Sequence, residues 1–226
     1  MSNGEKKENV SEQKSVFLFL DRLQRLRYID RCSNTNHIKP YSVAQHSFYM
    51  ALYGMVFAKI ENDRIWEEQE NSEDGGDTLQ ADSNYYNVEN VVCKALCHDL
   101  EESVTGDILF PMHNDHPDFK VILDQIRNKS AEEILFEELP KLVRDDLLYN
   151  WKTAKDSSKE GNLIACMDKF EIVLYALTEF ELGNMGFAQI YQNAMRILDN
   201  EFNIPSVSKV VKEIYVMVME KYGVNL

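Results

Sequence analysis

Three observations on this 226-residue sequence predict an all-α fold. Apolar residues recur at three- and four-residue spacing along most of the chain. No run alternates apolar and polar residues between turn signals, as a half-buried strand would. The strongly apolar segment Leu163 to Leu182 is of helix length rather than strand length. There is no internal repeat. The expected architecture is one all-α, single-domain helical bundle.

The elements follow in order. Residues 1–13 read as a flexible polar arm. From Ser15, the positions Val16, Phe19, Leu20, Leu23, Leu26 and Ile29 mark a first helix, with Arg31 following at its end. Cys32 to Tyr41 is a loop containing Pro40. Ser42-Val43-Ala44-Gln45 matches a capping box, in which the two polar side chains satisfy each other's free backbone amides. It opens a second helix to about Ile60, with His46 in its first turn. Residues 61–87 are dense in acids around Gly75-Gly76 and read as a solvated insertion. Val88 to about Thr105 is a third helix with Gly106 as its C-cap. Asp107 leads into a polar loop with His113 and His116. A helix from about Asp118 through Leu135 is broken by Pro140, and Leu142 to Trp151 is a further short one. Gly161-Asn162 precedes the apolar helix Leu163–Leu182. Two more helices, about 185–201 and 206–222, are separated by Pro205.

The bulk numbers exclude several function classes. A net charge of −14 and a sequence pI near 4.8 argue against a binder of nucleic-acid polymers, whose footprint is basic, and against an anionic-membrane surface protein. Cys32, Cys93, Cys97 and Cys166 form no CxxC pair and read as core thiols in a reducing compartment. The N-terminus is polar and no apolar run approaches a membrane span. The expectation is a cytoplasmic protein.

Chemistry centres on Ala95-Leu96-Cys97-His98-Asp99-Leu100-Glu101-Glu102. In a continuous helix His98 and Glu102 share a face, with Asp99 about 100° round from His98. Adjacent His and Asp at the end of an apolar run are costly unless paired or bound to metal. The competing reading is a satisfied helix-end histidine beside surface carboxylates. Asp168 poses the same question on the stripe Ile164, Asp168, Ile172 and Tyr175; singly, a helix–helix hydrogen bond explains it as well as a metal does. Three helices thus each offer a ligand towards a core: His46, the His98-Asp99 pair, and Asp168. Such a mixed N/O set suits Mn, Co, Fe, Ni or Zn better than Ca. The last two helices carry an apolar face (Val207, Val210, Val211, Ile214, Tyr215, Val218 and Met219) that is either core or interface.

A histidine, then His-Asp, then a distant Asp, all on helices, resembles the HD-domain metal phosphohydrolases. The likeness extends to bacterial 5′-deoxynucleotidases of the YfbR type. It is carried by Arg31 with Tyr41-Ser42-Val43-Ala44-Gln45-His46-Ser47, by the H-D-x-x-E-x-x-x-G-D pattern from His98 to Asp107, and by Ala165-Cys166-Met167-Asp168. The resemblance implies an HD-domain bundle over 14–226, with the acidic insertion at 61–87. It implies that His46, His98, Asp99 and Asp168 bind one divalent ion (Co, Mn, Fe, Ni, Zn or Mg). Arg31 would clamp phosphate, while Glu102 and Asp107 would orient water and pass a proton to the leaving 5′-oxygen. The implied reaction converts nucleoside 5′-monophosphates, with deoxyribose favoured, to nucleoside and phosphate. The implied partners are a small nucleotide and a second copy in a homodimer, without nucleic-acid polymer or membrane. Two departures stand out. Cys32 occupies the place of a family Trp near the sugar, and Phe110 and His113 lie in an altered loop, as candidates to stack on a base and touch phosphate. The alternatives are a dNTP triphosphohydrolase and a non-catalytic nucleotide-sensing HD scaffold.

Overall fold

A computed structural model of the chain describes residues 16–71, 84–108 and 117–225. Among these residues every regular element is helical, and the sole β feature is an isolated bridge between Asp30 and Ser42. None of the described helices is long and apolar enough to cross a membrane. The proposed arm at 1–13, and the loop positions Phe110, His113 and His116, lie outside the described residues. The chain divides into two compact units, with boundaries that include Ser47/Phe48 and Leu96/Cys97.

The first unit comprises Met1–Asn34, Pro40–Ser47 and Cys97–Lys152. Residues 16–23 form α1, which tightens into a 3-10 turn, Gln24–Tyr28. Helix α2, Val43–Glu70, begins here. The capping box is present: the Ser42 amide donates to Gln45 Oε1 at 3.0 Å, and the Gln45 amide donates to Ser42 Oγ at 3.3 Å. Helix α3, Val88–Cys97, ends here and is followed by the short α4, Glu102–Thr105. Then come α5, Pro117–Lys129, a π-helical continuation, Ser130–Leu135, a 3-10 turn, Phe136–Glu138, and α6, Lys141–Lys152. Phe19, Ala131, Leu135, Phe136 and Leu139 form the core of this unit, with Leu100, Val104 and Trp151 packed against it. Burying these apolar side chains is the main stabilising term.

The second unit comprises Thr35–Lys39, Phe48–Leu96 and Thr153–Leu226. It contains most of α2 and α3, then α7, Lys159–Glu181, a 3-10 turn, Met185–Phe187, α8, Ala188–Glu201, and α9, Pro205–Tyr222. Phe57 and Tyr53 meet Phe170 edge-on, with centroids 5.2 and 6.0 Å apart. A Cβ on Gly54 would lie 2.9 Å from Val91 Cγ1, so glycine is what lets α2 approach α3 this closely. Val207, Val211, Ile214 and Val218 are buried, which resolves most of the apolar face of α9 as core.

Three sequence expectations need correction. The second helix does not stop near Ile60. It runs to Glu70, because Arg64 pairs with Glu61 at i−3 and Glu68 at i+4, and buried Glu61 accepts from the Ser206 amide at 2.7 Å. The first ten residues of the supposed insertion are therefore helix, and 72–83 lie outside the described residues. The third helix is not continuous to Thr105. It ends at Cys97, and residues 98–101 form turns closed by bonds from the Leu100 amide to the Cys97 carbonyl and from the Glu102 amide to the Asp99 carbonyl. Gly161 does not precede the apolar helix but sits in its first turn, after the N-cap Ser158. Glycine is required there because a Cβ would strike the Asp156 side chain and lie 2.5 Å from its carbonyl oxygen.

Candidate metal and phosphate site

The break after Cys97 is what assembles the site. Released from α-helical periodicity, His98 and Asp99 turn inward together, and both are buried. Sequence periodicity placed His98 and Glu102 on one face of an α-helix. In the structure tight turns instead bring Glu102 within electrostatic reach of Asp99 and Arg31, and Gly106, at φ 78°, caps α4.

His46 is brought in by a second device. The Arg31 amide donates to the Tyr41 carbonyl at 2.8 Å, and the Val43 amide donates to the Ile29 carbonyl at 2.9 Å. With the Asp30–Ser42 bridge, these bonds tie the backbone of Arg31 to the first turn of α2. His46 lies one turn on and is fully buried. Cys32 follows Arg31 in the left-handed region, at φ 55°, which is costly for a residue with a Cβ. That turn is held in place by the ladder on either side of it.

His46, His98 and Asp99 present ligand-capable atoms that all lie within 4.8 Å of one another. The two imidazole Nε2 atoms are 3.3 Å apart. Asp99 Oδ2 lies 2.8 Å from His98 Nε2 and 3.8 Å from His46 Nε2. Arg31 Nη1 donates to the same oxygen at 3.2 Å. Two nitrogens and a carboxylate oxygen facing one point, all buried, fit a divalent ion of the transition series.

Glu102 adds an orphan. It is buried, and among the described residues its Oε2 has no hydrogen-bond partner. Burial, reinforced by the Asp99 and Asp107 carboxylates and opposed by Arg31, pushes its carboxyl well above the usual carboxylate range. Its burial rules out the reading of this acid as a surface carboxylate.

Asp168 belongs to the second unit. It is buried, and its Oδ2 receives Lys155 Nζ at 2.8 Å and Lys169 Nζ at 3.3 Å. The stripe that flagged it is real for Ile164 and Tyr175, which are buried with it. No sequence signal marked Lys155. Nor did the sequence flag Glu101, Arg127 or Trp151, which meet beside Asp99; their pairing spans 26 and 50 residues, beyond any local pattern. None of the four cysteines is in a disulfide; Cys97 and Cys166 are buried and Cys32 and Cys93 half-buried.

Residues 18–218 match the family described as 5′-deoxynucleotidase YfbR-like. A 5′-deoxynucleotidase of Photorhabdus laumondii is 27% identical over 173 residues, covering 75% of this chain and 77% of the relative. An HD-domain phosphohydrolase from Listeria innocua superposes with a TM-score of 0.72 at 24% identity, covering 92% of both chains. A cyanophage S-2L HD phosphohydrolase, whose structure holds dA and one catalytic Zn2+, superposes with a TM-score of 0.50 at 15% identity, covering 88% of this chain and 96% of that one.

Proposed function

The chain belongs to the YfbR-like 5′-deoxynucleotidase family, and from that membership we infer that it is a metal-dependent phosphohydrolase converting nucleoside 5′-monophosphates to nucleoside and phosphate. The observation that carries this reading is the buried His46–His98–Asp99 cluster with the Arg31 guanidinium on its edge. His46, His98 and Asp99 would hold the ion, with Asp168 as the fourth ligand. Asp168 is supported by its burial inside an apolar helix face and by the family order of ligands. A divalent ion in this donor set supplies Lewis-acid polarisation of the phosphoryl group and acidifies the attacking water. Co and Mn are the first ions to test.

The chain's own residues supply the rest. Arg31 is anchored at its backbone by Tyr41 and carries a planar fork suited to two phosphate oxygens, which a lysine could not reproduce. Burial pushes the Glu102 carboxyl well above the usual carboxylate range, and Glu102 would give a proton to the 5′-oxygen as the P–O5′ bond breaks. Asp107 lies close enough for its charge to raise the Glu102 carboxyl, and it would orient the water. Cys32, next to Arg31 in its strained turn, leaves the sugar pocket with a small side chain where the family has an indole. Phe110 and His113 remain candidates for base and phosphate contacts. A homodimer is supported by an exposed apolar stripe on α2, where Tyr49, Leu52, Val56 and Ile60 are each 38–43% exposed at near-helical spacing.

The test is a nucleotide panel with Mn2+ or Co2+. Release of inorganic phosphate from dAMP, with AMP and dAMP compared for the role of Cys32, is the expected result. Release of triphosphate from dATP without turnover of dAMP would replace this reading with a triphosphohydrolase. Metal uptake without turnover of any nucleotide would leave a sensing scaffold.

A further inference from the structure

Asp99 has a cation on each side of its carboxylate, hydrogen-bonded at Oδ2 and at ion-pair distance from Oδ1. Oδ2 faces the two imidazoles and Arg31, while Oδ1 faces Arg127, whose Nη2 lies 3.8 Å away. Arg127 is not a free surface cation. Its Nε donates to Glu101 Oε1 at 2.5 Å, and its Nη2 also pairs with that oxygen. The other oxygen, Glu101 Oε2, accepts from the Trp151 indole N–H at 2.5 Å. Glu101 is fully buried, and Trp151 packs on the core of the first unit against Phe136, with centroids 6.4 Å apart. The chain therefore runs from hydrophobic core to indole, carboxylate, guanidinium and finally Asp99.

We propose that Trp151, Glu101 and Arg127 form a positioning network that fixes the plane of the Asp99 carboxylate, so that Oδ2 is presented to the ion. The inference rests on the reading of Asp99 as a metal ligand. Its physical basis is that a carboxylate's terminal torsion is broad and roughly two-fold, so a cation facing each oxygen narrows it. Outer partners of this kind commonly change metal affinity by about 10–100-fold. Charge acts in the opposite direction: removing a cation from beside the site would by itself favour a second cation. A useful variant must therefore conserve charge. Arg127→Lys keeps the positive charge and loses the fork. The double variant E101Q/R127Q removes one charge of each sign and avoids leaving a buried glutamate unpaired.

The experiment titrates Mn2+ into the full-length wild type and both variants by calorimetry, with thermal unfolding of each metal-free protein as the control for folding. Weakening of Mn2+ binding by about tenfold or more in both variants is expected, with excess Mn2+ restoring turnover at a KM for dAMP close to that of the wild type. Unchanged Mn2+ affinity in either folded variant overturns the proposal. So does a raised KM for dAMP at unchanged Mn2+ affinity, which would make Arg127 a phosphate ligand instead. If the wild type itself takes up no Mn2+, the metal-site reading fails and this inference falls with it; normal uptake by the wild type and by both variants sinks the inference alone.

Discussion

Glu102 shows what a single residue contributes. Its carboxyl is buried among acids, and its Oε2 has no partner among the described residues, a costly state for a group with only a structural role. Glu102→Gln removes the transferable proton while keeping size and burial. It should lower kcat by about 10²–10⁴-fold, measured as phosphate release from dAMP at saturating metal, with Mn2+ affinity retained. At this scale the sequence was most informative where chemistry is local. The H-D-x-x-E-x-x-x-G-D pattern named His98, Asp99, Glu102 and Asp107, because turn residues and their ligands sit within ten positions. Arg127 escaped notice because an arginine near a helix end has no sequence mark that distinguishes an inward guanidinium from a solvated one.

At the scale of elements, helix ends carry the specificity. In the second unit Glu179 is fully buried and accepts from the Ile38 and Lys39 amides at 2.8 and 2.9 Å and from Asn184 Nδ2 at 2.6 Å. Burial alone would raise its pKa, but these donors outweigh it and hold the carboxyl below the usual range. The stability it contributes is therefore fully present above the unfolded-state pKa of about 4.3 and is lost as pH falls through the lower folded value. Glu179→Gln should cost about 1–3 kcal/mol at neutral pH and flatten the acid limb of stability, as followed by denaturant unfolding across pH 2–7. At the start of α7, Gly161→Ala should destabilise by about 1–3 kcal/mol in the same assay, because the obstructing atoms include the Asp156 backbone, which cannot simply rotate away. The capping box and the Gly106 cap were legible because both are short-range rules. The end of α3 at Cys97 was not, since Leu100 and Val104 keep helical spacing across the break while packing against the core of the first unit. The extension of α2 to Glu70 was hidden by its acidity, which reads as an exposed spacer until Ser206, 145 residues after Glu61, is seen to satisfy the carboxylate.

For the whole molecule, the all-α class followed from periodicity alone, whereas the division into two units did not, since α2 and α3 pass through the boundary without a break in pattern. The apolar surface also needed the structure. The face nominated on the last helix is largely core, and the exposed stripe lies on α2 instead. If that stripe joins two copies, Leu52→Glu should convert a dimer to a monomer in light scattering while each chain stays folded; a wild type that is monomeric at micromolar concentration would refute the interface.

The central claim is that His46, His98 and Asp99 share one divalent ion, and Mn2+ stoichiometry measures it directly. Equilibrium dialysis of the full chain should give one ion per chain, with affinity reduced by more than about 100-fold in both His46→Ala and Asp99→Ala, since direct ligands contribute more than the outer partners that already change affinity 10–100-fold. Uptake that is absent in the wild type, or undiminished in either folded variant, would contradict the account.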